Sequence, residues 1–101
     1  MSTKTLVTVD DVESMLAQRR REVSLAWALD GDAPAPSAVE ALGRPELAAR
    51  LRRARHNCDE ARAGYAAGVS GIPRENLHMW EGLWRAAARE ARAFLAEVSR
   101  Q

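Results

Sequence analysis

Between Pro73 and Val98, steps of three and four residues from Leu77 read Leu77, Trp80, Trp84, Ala87, Ala91, Phe94 and Val98 with no polar interruption. That spacing is the signature of an amphipathic helix with a continuous apolar seam, and such a seam has to be buried. Leu83, Ala88 and Leu95 lie beside it and widen the stripe beyond what a two-stranded coiled coil needs. A helix of this kind touches more than one neighbour, and the rest of the chain is read around it.

A chain of 101 residues fits one small domain with a modest core. Fifteen basic and fourteen acidic residues leave a formal charge of +1, so no global field favours nucleic acid or an anionic membrane, and such binding needs a local patch. Fourteen of the fifteen basic residues are arginine, a bias that carries no functional reading here. The single cysteine, Cys58, excludes an intramolecular disulfide, and no apolar run approaches the roughly 18 residues of a membrane span. Met1 to Val9 has no apolar signal core. The expectation is a cytoplasmic protein without a membrane partner.

The pattern predicts one helical domain over 1–101: a frayed arm at 1–8, helix one at 9–30, a proline-containing linker with a short helix at 31–44, helix two at 45–67 and helix three at 73–99. Val9, Val12, Leu16, Val23 and Ala26 carry the seam of helix one; Asp10, Asp11 and Glu13 put negative charge at its amino terminus, with Thr8 or Asp10 available as cap. Arg19 falls on this seam and is expected to snorkel, its guanidinium wet or paired with an acid. Pro34 and Pro36 stop the helix. Ser37 to Glu40 reads as a capping box, Gly43 as a stop, and Pro45 as the first position of helix two. The seam of that helix is Leu47, Leu51, Ala54, Cys58, Ala61, Tyr65 and Gly68, rich in small residues. Gly68 and Gly71 flank the next loop, where Ser70 is placed to cap helix three.

Folding helix two back on helix three at about 1.5 Å per residue brings Ala61 opposite Trp80, Cys58 opposite Trp84 and Leu47 near Phe94. Small faces large twice, which is how facing helices fill space. The expected fold is all-α: a three-helix bundle built on an antiparallel hairpin of two long helices, with a short capping helix in the first connection. Where Ala54 faces Ala87, either the helices approach closely or Trp27 fills the gap.

Chemical signatures are sparse. His56, Cys58, Asp59 and Glu60 are ligand types, and Glu75 with His78 makes one Glu-x-x-His unit, of which di-iron bundles use two. There is no second copy, and Cys58 lies on the seam, where a cysteine is a small buried hydrophobe. No nucleophile elbow, phosphate loop or paired-cysteine zinc spacing is present. The reading assigns no catalytic residue, no metal ligand and no cofactor. Arg44, Arg50, Arg52, Arg53 and Arg55 form a basic run opposed locally by Glu46; Arg50, Arg52, Arg53 and Arg55 are the candidate phosphate contacts, against a plain reading as a solvated helix face.

The run Leu47-Ala-Ala-Arg-Leu-Arg-Arg-Ala-Arg-His-Asn57, followed by Asp59-Glu-Ala-Arg-Ala-Gly-Tyr-Ala-Ala-Gly-Val-Ser70, resembles the first two helices of a Cro-type helix-turn-helix repressor domain. That resemblance implies a DNA-binding transcriptional regulator and a break near Asn57. It covers about a quarter of the chain; Gly71, Ile72 and Pro73 stand where a recognition helix should begin. The favoured expectation is a non-catalytic helical interaction or assembly module, a small subunit or adaptor that binds itself or a larger protein. Its candidate interface is Met15, Trp27, Leu29, Leu83 and Leu95, the large apolar residues off the seams of helices one and three.

Overall fold

The computed structural model describes residues 8–30, 33–68 and 74–101. Among them the chain is all-helical, with α1 (Val9–Asp30), α2 (Pro36–Ala41), α3 (Pro45–Ala66) and α4 (Arg74–Ser99). The expectations for the arm at 1–7, and for Gly31, Ser70, Gly71 and Pro73, fall outside the described residues.

Local chemistry explains most of the boundaries. At the start of α1 the Thr8 hydroxyl accepts from the Asp11 amide at 3.1 Å and the Asp11 carboxylate accepts from the Thr8 amide at 3.2 Å, a reciprocal cap that satisfies two amide donors. The capping box expected of Ser37 is absent. Pro36 occupies the first turn of α2, Ala35 becomes the cap residue without a side-chain hydrogen bond, and Ser37 therefore stands inside the helix. Gly43 ends α2 at φ 108°; its amide donates to the Glu40 carbonyl at 3.1 Å and the Arg44 amide to the Val39 carbonyl at 3.1 Å. These are the two bonds of a Schellman motif, which requires the left-handed backbone that glycine adopts freely. Pro45 then opens α3 as expected.

Cross-helix pairs on α3 and α4 run in opposite order along the chain: Arg50 pairs with Glu90, Arg62 with Glu81, and Tyr65 with Arg74. A main core of Val39, Leu47, Ala48, Leu51, Cys58, Trp84, Ala87, Ala88 and Ala91 draws on α2, α3 and α4. A second cluster of Ala61, Tyr65 and Leu77 is covered by Val23 and Trp80. Cys58 and Trp84 thus share one cluster and Ala61 and Trp80 the other, while Phe94 packs at the edge of the cluster that holds Leu47.

Both remaining helices lie on one face of this pair. α2 inserts Val39, fully buried, and exchanges Glu40 with Arg52. α1 reaches Arg62 and Tyr65 of α3 and Arg74 and Arg85 of α4 through Asp30 and Glu22. None of its 22 residues is fully buried. Arg19 meets no acid among the described residues: its guanidinium lies 4.5 Å from the Tyr65 ring centre and donates to the Tyr65 carbonyl at 3.2 Å, where the last turn of α3 has carbonyls to satisfy.

Trp84 is 2% exposed at the centre of the main core. Trp84→Ala should cost about 3–5 kcal/mol, a large share of the stability of a chain this small. Urea denaturation followed by far-ultraviolet circular dichroism measures it.

Candidate interaction surfaces and the buried arginine

A concavity lies between α3 and α4, lined by no residue of α1 or α2. It is a groove of about 450 Å³ in which Ala54, Ala87, Trp80 and Leu83 supply the apolar lining and Arg50, Arg53 and Glu90 stand at the rim. Its origin is the meeting of small residues foreseen at Ala54 and Ala87. Trp27 does not line the groove; it meets Trp84 edge-on with ring centres 6.3 Å apart.

Of the candidate interface residues, Met15, Leu29 and Leu83 are exposed, Leu29 at 76%. Trp27 and Leu95 are partly buried, both packing against the main core. Trp27 lies between α1 and α3, stacked at 3.9 Å under the Arg62 guanidinium and at 4.5 Å from that of Arg55. The apolar exposure on α1 lies elsewhere, at Val9, Val12, Met15, Leu25 and Leu29.

Sequence reasoning missed the main polar feature. Arg62, 1% exposed, donates through Nε to Glu81 at 2.8 Å and through Nη2 to Asp30 at 2.7 Å. Arg85 holds the other Asp30 oxygen at 2.7 Å, and Arg92 donates to the Asp30 carbonyl at 3.2 Å. One guanidinium therefore joins α1, α3 and α4. Burial alone would push the Asp30 carboxyl up, but the hydrogen bonds from Arg85 and Arg62 and their charges hold it below its ordinary value. Burial likewise opposes the charge on Arg62, and the bonds to Asp30 and Glu81 overcome it. Arg62 Nη1 and Trp84 Nε1 are buried without a hydrogen-bond partner among the described residues. For Arg62 the Trp27 face offsets part of that cost, since a desolvated guanidinium is attracted by an indole ring. The signal in the sequence was position: Arg62 stands four residues after Cys58, and Glu81 four after Leu77, each one turn along a buried face.

A smaller polar cluster fastens α1 further back, at Glu22. The Tyr65 hydroxyl donates to Glu22 at 2.7 Å, and Arg74 donates to the same hydroxyl at 2.9 Å and to Glu22 at 3.2 Å.

The arginine run is largely engaged. Arg50 bonds Glu90, Arg52 reaches Glu40 at 3.4 Å, and Arg55 pairs with Asp59 at 3.3 Å beside Trp27. Only Arg53 of the four lacks an acidic partner among the described residues. α3 is continuous through Asn57, Cys58 and Asp59, so the inter-helix turn implied by the repressor resemblance is not there. Cys58 is fully buried, and burial pushes its thiol up to about 11. No three histidine, cysteine, aspartate or glutamate side chains converge as a metal site among the described residues, and no described helix is long and apolar enough to cross a membrane. No protein-family model, curated protein or solved structure matches the chain.

Arg62→Leu leaves Asp30 and Glu81 short of their cation and should destabilise by about 3–5 kcal/mol. Adding Glu81→Leu should recover part of that loss, because the pair is then replaced by apolar volume; urea midpoints of the two variants give the comparison. Asp30 also predicts an acid limb. Its folded carboxyl titrates below the ordinary 3.8, so the unfolded chain binds the proton first. Its contribution is complete above 3.8 and is lost as pH falls from there through the folded value. Asp30→Asn should flatten this limb in denaturation curves recorded from neutral pH down to about pH 2.5.

Proposed function

We propose that the chain is a three-helix bundle, α1 lying along an antiparallel hairpin of α3 and α4 with α2 as a capping turn, and that it acts as a non-catalytic interaction or assembly module. The observation that carries this reading is α1: a helix of 22 residues with no fully buried side chain and with Val9, Val12, Met15, Leu25 and Leu29 exposed. The apolar groove beside Leu83 adds a second surface on the far face. Apolar surface distributed in this way is uncommon on a soluble monomer and common on subunits. The favoured partner is a second copy of the chain, and a larger protein is the other candidate.

DNA binding ranks second. Three of the four arginines on which it would rest are already held by carboxylates, and the helix that carries them has no recognition turn. Contact through Arg53 and the loosely held arginines would be non-specific and would fade steeply with salt.

Light scattering after size exclusion, over a dilution series, should give a mass above 11.1 kDa that falls toward it at low concentration. A single 11.1 kDa species throughout would remove the homo-oligomer.

A further inference from the structure

The packing face of α1 continues past the point where α1 stops packing. Val23 covers the second core cluster, Arg19 caps the end of α3, and Leu16 meets Gly68 just beyond it. The same face then presents Val12 and Val9, with Met15 beside them, and residues 8–15 are all exposed. At helical spacing Asp11 and Glu13 fall on the two flanks of this stripe. The overhang is thus an apolar ridge edged with acid, about 10 Å long at 1.5 Å per residue.

The groove on α3 and α4 is the complementary shape and charge. From Arg50 to Asn57 it also runs about 10 Å along α3. Its floor is Ala54, Ala87, Trp80 and Leu83, and its α3 lip carries Arg50 and Arg53. Glu90, at one end of the groove, is taken by Arg50, which leaves Arg53 as the lip cation without an acidic partner among the described residues. The overhang cannot reach its own groove. Asp30 is bonded to Arg85, so Val12 stands 18 residues, about 27 Å, back along α1 from the level of α4 where Leu83 lies, and on the opposite face of the hairpin.

We infer that the overhang of α1 from a second copy of this chain docks in the α3–α4 groove, with Val9, Val12 and Met15 against Ala54, Trp80 and Leu83 and Glu13 beside Arg53. In a two-fold pair each copy gives one overhang and receives one, so both surfaces, unpartnered among the described residues, are covered. This inference rests on the self-association reading and names its contact.

The test is an intermolecular disulfide between full-length chains. Val12→Cys and Leu83→Cys, both at exposed positions, are mixed and oxidised, with Val12→Cys plus Ser24→Cys as the control pair; buried Cys58 stays out of the exchange. The docked arrangement requires the mixed Val12–Leu83 product to dominate over the control. Arg53→Glu, an exposed change, should weaken the association about three- to tenfold, and adding Glu13→Arg should restore most of it. Association by light scattering with no preference for Leu83 and no effect of Arg53→Glu would overturn the docking while leaving self-association standing. A monomer at every concentration would overturn both.

Discussion

The Arg62 guanidinium is the point on which three helices depend. α3 brings it into the interior, α4 answers with Glu81, and α1 answers with Asp30 at its last residue. Removing these charges from water costs several kcal/mol per ion, and only close geometry with filled hydrogen bonds returns it. Here the geometry is close, because the Glu81 oxygen receives two nitrogens and Asp30 is shared between two arginines. What the cluster contributes most clearly is position. A shift of α1 by one turn would move Asp30 by about 5.4 Å and break its bonds to Arg62 and Arg85 together.

That constraint matters because apolar packing leaves α1 underdetermined. α3 and α4 are locked by the insertion of Trp84 among Cys58 and the alanines, which tolerates no slippage. α1 has no equivalent knob. Its Trp27 makes cation–π contacts with Arg55 and Arg62, and its Glu22 is held by Tyr65 and Arg74. The helix is thus fastened by polar contacts at Glu22 and Asp30, with Val23 and Trp27 packed between them.

The division between what was legible in the sequence and what was not follows the same line. Apolar periodicity carries information about secondary structure and about which helical faces are buried, so the four helices, the pairing of Cys58 with Trp84 and the role of Pro45 could be read directly. Periodicity carries no information about a buried charge. The position of Arg62, one turn past Cys58, marked it as lying on a buried face, but its partners Asp30 and Glu81 stand 32 and 19 residues away and only the fold identifies them. The arginine contacts of Trp27 were not legible either, because an indole beside a seam carries no sign of the guanidiniums the fold brings to it. The Ser37 box failed at shorter range, where Pro36 started the helix two residues early and moved the serine past the capping position.

The open groove between Ala54 and Ala87 follows from this distribution of bulk. Ala54 and Ala87 both line it, while Trp27 packs with Arg62 and edge-on to Trp84 instead. The polar brace and the groove thus draw on different residues of α3 and α4. The same brace sets the height of α1, and with Asp30 fixed against Arg62 the first two turns of the helix run beyond Gly68. The projecting ridge is a consequence of one buried salt-bridge cluster, which ties the geometry of any assembly through it to a residue that never reaches the surface.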